Sequence, residues 1–289
     1  MRIKAGVLGN CQANGVSECL KALVPGLETL MIEVSQIRAA NECQRKQWVE
    51  ELKQCDFVAM NPISGDSYGV MEKTRLPEII PRTIVYPTLE FTGFHPDCCY
   101  VITNRHYVAS PIGDYNSAIA AGAFLAGLPV ERVARLFNAY TYACLGYFNE
   151  FNAAMSFLKT RLSRDYPEFD LSDHLPAGRL FMHSINHPGI EVLFELAKKI
   201  LLKLGITPVD APLPEDRFKR GAIWPVYPEI AKRLSIAPTP LVFKTDGRPL
   251  SLDEFIQGSY AAYTRTPEIR ENLDAPMVRR AESFIRSNS

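Results

Sequence analysis

Along the first hundred residues, short, mainly apolar runs alternate with stripes at helical spacing. Residues 3–8 form an apolar run that reads as a buried strand and ends in Gly9-Asn10. Val16, Cys19, Leu20 and Leu23 then recur with a helical period. Residues 27–34 read as a second strand, and 41–54 as a helix with Trp48, Val49 and Leu52 on one face. Residues 57–60 are a third short strand, which runs into a loop of turn formers over 61–69. Residues 82–86 make a fourth strand, stopped by Pro87, and 100–103 a fifth. This β-α-β-α-β order predicts a parallel sheet with right-handed crossovers. In such sheets ligands gather at the carboxyl ends of the strands. Cys11, the 61–69 loop and the segment after Tyr86 are expected on that edge.

From residue 106 the pattern changes. Asp114 is expected to cap an Ala-rich helix that ends at Gly127, and Pro129 to open the next, with Val133, Leu136 and Phe137 inward. Aromatic residues crowd 140–151 and a helical pattern continues over 153–162. Residues 180–182 read as a short strand. Residues 188–204 form an amphipathic helix with Ile190, Leu193, Ala197, Ile200 and Leu204 in line and Gly205 as its stop. Eight of the 21 prolines fall between 207 and 249, which predicts a long ordered loop. Ser251 and Glu254 are spaced as a capping box, and a last helix is expected over 267–286. The expected architecture is α/β: a Rossmann-like parallel sheet over 1–105 that carries the Cys11 loop, and a mostly α-helical part over 106–289 packed on it, including the proline-rich region 207–249.

Composition narrows the function. The 289 residues are 47% hydrophobic and 22% charged with a formal net charge of zero, so no global basic field argues for nucleic acid. Seven cysteines at irregular spacing, with no signal peptide before them, predict free thiols in a reducing cytoplasm. Cys98-Cys99 reads as strand packing. With no CxxC pair and no HExxH, no metal site is expected. No apolar stretch is long enough for a transmembrane segment.

Cys11 falls where a strand turns into a helix N-terminus. Free N–H groups and the helix dipole there favour an anion, which predicts a lowered thiol pKa and a nucleophilic thiolate. The same N–H groups suit an oxyanion or a phosphate. The plainer alternative is a buried cysteine in an ordinary strand–turn–helix. A cysteine nucleophile needs a base, and often a group to orient that base. Of five histidines, His95 and His187 stand beside prolines in loops; His183 is placed at a strand end, and His106 and His174 in polar loops. Asp97 or Asn186 would orient the base, although Asp97 could equally point away or cap a turn. Ser64-Gly65-Asp66-Ser67 reads either as turn chemistry or as a polar wall of the site. It resembles the Gly-Asp-Ser block of esterases, but it follows the third strand, which discounts Ser67 as nucleophile. Basic candidates for anionic ligands are Arg45-Lys46, Asn104-Arg105 and Arg217-Phe218-Lys219-Arg220. Arg105, after a strand, has the best claim to the sheet edge.

Leu8-Gly9-Asn10-Cys11-Gln12-Ala13, Phe91-x-Gly93-x-His95-Pro96-Asp97 and Asn186-His187-Pro188, in that order, resemble the motifs of the WcbI-type family of capsular-polysaccharide biosynthesis proteins. The resemblance implies a protein that binds coenzyme A or acetyl-CoA and O-acetylates a sugar of a surface polysaccharide. It places Cys11 and the loop around it at the active-site cleft with His95 and His187 near it, and Asp97 joins them as the candidate orienter. Gly9, Asn10, Gln12 and Ser64 would then line the coenzyme, and Arg105, Arg217, Lys219 and Arg220 would grip its phosphates. The expected partner is a sugar or glycan precursor, with no nucleic acid and no transmembrane segment. Two rivals stay open: a Cys- or Ser-dependent esterase, and a non-catalytic binding protein of a glycan assembly system.

Overall fold

The first four apolar runs form one parallel sheet. In a computed structural model describing residues 3–171, 175, 178–237, 240–245, 248–271 and 273–288, these are β1 (Lys4–Gly9), β2 (Glu28–Glu33), β3 (Phe57–Met60) and β4 (Thr83–Val85). Their order is β2-β1-β3-β4. The register aligns Gly9 with Glu33, Leu8 with Met60, and Met60 with Val85, so the carboxyl ends form one edge. The crossovers are α1 (Cys11–Leu23), α2 (Val34–Ala39), α3 (Glu42–Leu52) and α4 (Arg75–Ile79). Leu8, Ile32, Ile37, Val49, Leu52, Val58 and Met60 pack into one core between sheet and helices. The contact is close because β1 carries Gly6: a Cβ there would lie 2.3 Å from Leu52 Cδ2. α1 rests on β1 and β2 and against the Ile190–Lys203 helix. Gly15 makes room for that helix, since its Cβ would lie 2.4 Å from Leu193 Cδ1.

The chain resolves into two compact units, each assembled from three stretches. The first holds Met1–Leu89, Lys159–Pro176 and His187–Arg217; the second holds Glu90–Leu158, Ala177–Asn186 and Phe218–Ser289. In the second unit the Ala118–Leu125 helix is buried at every residue except Phe124. The Pro276–Asn288 helix packs directly on it over Gly122, where a Cβ would meet the Glu282 nitrogen at 2.7 Å.

Several details depart from the sequence pattern. Residues 100–103 do not extend the parallel sheet. Cys98–Tyr100 pairs antiparallel with Tyr115–Ser117, and Ile102–Thr103 with His106–Tyr107 and Leu273–Asp274. Ser117, not Asp114, caps the Ala-rich helix, because Tyr115–Ser117 is held extended by that pairing. The closing helix is interrupted: a short 3₁₀ turn, Pro267–Arg270, precedes the strand Leu273–Asp274, and the helix restarts at Pro276. The proline-rich stretch includes the short helix Pro228–Arg233, with Pro228 in its first turn. Trp224, Val226 and Tyr227 are buried there, so it is part of a core. The capping box at Ser251 and Glu254 is formed as the spacing implies. No helix among the described residues is long and apolar enough to cross a membrane.

Candidate active site at the head of the first helix

The turn after β1 is built from side chains that take over helix-end hydrogen bonds. Asn10 is the N-cap of α1: its Oδ1 accepts from the Gln12 N–H at 3.0 Å, and its carbonyl from the Ala13 N–H at 2.9 Å. Cys11 is thereby the first residue of α1, and it is exposed. Gln12 behind it is fully buried. Its Nε2 donates to the Leu89 carbonyl at 2.7 Å, and its Oε1 accepts from the Leu89 N–H at 3.0 Å. The carboxamide expected to face a coenzyme instead pins the segment after Tyr86 to the Cys11 turn.

Two residues to which the sequence pattern assigned no role of their own sit at this edge, the first of them at the head of the 61–69 loop expected there. Asn61 follows β3 and is 3% exposed. Its Oδ1 accepts from the Asn10 N–H at 3.1 Å. Gly9 permits that approach, because a Cβ there would lie 2.0 Å from Asn61 Oδ1. Glu33 closes β2 opposite Gly9, and its Oε1 accepts from Asn14 Nδ2 at 3.1 Å. The sequence signal for both was weak: a polar residue closing an apolar run.

The thiol differs from expectation. Although Cys11 reaches solvent, desolvation by the surrounding protein raises its pKa above the ordinary value. The N–H groups of Gln12 and of Cys11 itself oppose the rise, and the Glu33 carboxylate adds to it. Helix-end placement therefore helps the thiolate without carrying it below the usual range.

The histidines separate by environment. His95 is 1% exposed, with Nε2 3.4 Å from the Met182 carbonyl. Desolvation holds its pKa down at about 4, so the ring is neutral at pH 7. Asp97 does not orient it. That buried carboxylate accepts from Ser117 Oγ at 2.5 Å, the Tyr227 hydroxyl at 2.7 Å, the Tyr147 hydroxyl at 2.8 Å and the Ile119 N–H at 2.9 Å. Desolvation raises its pKa against those four bonds. Asn186, the other candidate orienter, accepts from the Tyr115 hydroxyl at 2.5 Å. His187 belongs to the first unit, as Cys11 does; it is half-buried in the two-residue strand His187–Pro188, which packs on α1. His106 is exposed on the hairpin, and His174 lies outside the described residues.

The polar and basic candidates lie on separate elements. Ser64 is exposed, and its Oγ donates to the Pro62 carbonyl at 3.2 Å, a local turn bond. Arg105 does not follow a strand of the parallel sheet: with Asn104 it forms the tip of the 102–107 hairpin in the second unit, both residues at positive φ (67° and 49°). Arg217 is exposed, 3.9 Å from the Glu18 carboxylate. Lys219 and Arg220 are exposed in the same 3₁₀ turn but belong to the second unit, and the Lys219 carbonyl accepts from Lys244 Nζ at 3.0 Å. No group of metal-ligating side chains forms among the described residues.

In parallel α/β sheets ligands gather at the carboxyl ends of the strands, and it is there that this chain carries an exposed cysteine at a helix head with buried amides around the turn. The chain is a member of the WcbI family: residues 4–209 match the family described as "Polysaccharide biosynthesis enzyme WcbI". It is also similar to a solved structure of WcbI, a polysaccharide biosynthesis enzyme, described as the native protein without a disulfide bond between coenzyme A and a cysteine. That match has a TM-score of 0.70 at 18% identity and covers 100% of this chain and 96% of the other. No curated protein matches the chain.

Proposed function

We propose that this enzyme moves an acetyl group from acetyl-CoA to a hydroxyl of a sugar or glycan precursor, in the cytoplasm, during synthesis of a surface or capsular polysaccharide. The observation that carries the reading is the exposed Cys11 thiol on the first residue of α1, at the carboxyl edge of the sheet, in a family of polysaccharide enzymes. Coenzyme A enters through the likeness to WcbI, whose description names it together with a cysteine. The turn suits such a substrate: Gly9 keeps it free of a side chain, and buried Asn61 Nδ2 is a donor with no partner among the described residues. Gly9, Asn10 and Ser64 are the polar contacts we assign. Arg217, exposed in the same unit, is the phosphate ligand we assign first, with Arg105, Lys219 and Arg220 as further candidates.

Because the resting thiol is held above its ordinary pKa, a base has to remove its proton. We assign His187, whose strand packs on α1, ahead of His95, which is enclosed in the core. The Cys11 sulfur then bonds the acetyl carbon and coenzyme A leaves with the proton from His187. The sugar hydroxyl next gives its proton to His187 as its oxygen bonds the acetyl carbon, and the breaking C–S bond releases the Cys11 sulfur, which takes that proton back.

Coenzyme A at a hundredfold excess over its dissociation constant should stabilise the protein by about 2.7 kcal/mol in a thermal melt. Mixing with acetyl-CoA alone should add one acetyl mass to the wild type and none to Cys11→Ala, which should still bind coenzyme A. No shift with coenzyme A beside a clear shift with a nucleotide sugar would overturn the donor assignment.

A further inference from the structure

We propose that Asn61 Nδ2 is the side-chain donor that stabilises the oxyanion formed when an acyl group reacts at Cys11. The inference rests on the acyl-transfer reading above. Its starting point is a buried polar atom without a partner. Asn61 is 3% exposed, and its Nδ2 has no hydrogen-bond partner among the described residues. A buried amide left unpaired in this way costs free energy, so its retention calls for an explanation.

The orientation of the carboxamide is fixed by chemistry. Oδ1 accepts from the Asn10 N–H at 3.1 Å. Turning the amide over would set a donor against that donor, so Nδ2 is the atom left over. The residue is held in place from both sides: its own N–H donates to the Leu8 carbonyl at 2.9 Å, and the bare Cα of Gly9 lies against its carboxamide. A rigid, desolvated N–H donor is thus fixed beside the Asn10-Cys11 turn. Such a donor gains most when negative charge develops on a nearby oxygen. In the acylation step the Cys11 sulfur bonds the carbonyl carbon, and the C=O electron pair moves onto oxygen, where Asn61 donates to it. The pair then returns to re-form C=O as the leaving group departs.

The test compares two reactions of the same thiol. Acylation by p-nitrophenyl acetate or acetyl-CoA passes through an oxyanion; alkylation by iodoacetamide does not. Both scale with the thiolate fraction, so their ratio at one pH cancels any change in the thiol pKa. Rates are followed by mass on the Cys11 peptide. Asn61→Asp keeps the size and the acceptor for Asn10 but removes the donor, and Asn61→Ala removes both. The acylation-to-alkylation ratio should fall about 10²–10³-fold in each, with coenzyme A affinity nearly unchanged. An unchanged ratio, or a fall in alkylation that matches the fall in acylation, overturns the assignment. A wild type acylated by p-nitrophenyl acetate but not by acetyl-CoA sinks the coenzyme A reading while the Asn61 comparison still stands. A wild type acylated by neither overturns both.

Discussion

Asp97 shows how much one buried side chain can organise. Its carboxylate collects two tyrosine hydroxyls, a serine hydroxyl and a backbone N–H, from residues as far apart in the chain as Ser117 and Tyr227. A buried charge is tolerable only when it is so fully hydrogen-bonded. Asp97→Ala would leave four buried donors unpaired. It should cost about 3–5 kcal/mol and lower the melting temperature by roughly 10 °C or more. Asp97→Asn, which keeps two acceptor lone pairs, should cost less. A thermal melt decides this, and an Asp97→Ala protein that melts with the wild type would rule out the hub. Cysteine exposure matters at the same scale. Cys19, Cys98 and Cys99 are buried and their thiols are raised by desolvation, but Cys43 and Cys144 are exposed. Thiol chemistry at Cys11 therefore has to be read peptide by peptide.

At the scale of elements, the placement of Cys11 depends on how α1 is seated. Gly15 admits Leu193 of the Ile190–Lys203 helix so closely that any Cβ would overlap it. Gly15→Val should cost about 1–3 kcal/mol by overpacking, and Leu193→Ala in the same chain should recover part of the loss. A chemical-denaturation cycle over the four proteins measures the coupling, and simple additivity would contradict the contact. The parallel sheet and its helices were legible in the sequence because runs of four to six apolar residues and helical stripes are local signals. The second unit's strands were not, since two- and three-residue strands such as Ile102–Thr103 have no period and exist only through distant partners. The Asp114 cap failed for the same reason: Tyr115–Ser117 is extended by pairing with Cys98–Tyr100. At the candidate site, Cys11 announced itself by its place between strand and helix. Asn61 did not, because its contact with Asn10 spans 51 residues.

Over the whole molecule, acid should act first on the unit that contains His95. Its pKa is about 4 when folded and 6.5 in the unperturbed side chain, so between those values the unfolded chain binds the extra proton. Stability from this group is complete above pH 6.5 and is lost as pH falls toward 4. The loss totals roughly 3 kcal/mol at about 1.4 kcal/mol for each pH unit. Hydrogen exchange between pH 7 and 4.5 should show protection falling around Met182–Ser184 and Trp224 before it falls in β1–β4. His95→Gln should flatten that dependence; simultaneous loss in both units, or an unchanged slope in the variant, would count against it.

The interleaving of the two units has a consequence for biosynthesis. The chain changes unit five times, at 89/90, 158/159, 176/177, 186/187 and 217/218. The Ile190–Lys203 helix against which α1 rests is therefore translated long after α1 itself. A nascent chain that has emerged from the ribosome only as far as residue 90 has the strands of the parallel sheet but lacks the Ile190–Lys203 helix that covers α1. The apolar face of α1 has to wait for about a hundred more residues, at the pace of elongation. During that interval the side of α1 that the Ile190–Lys203 helix will cover is left open, next to the cysteine turn.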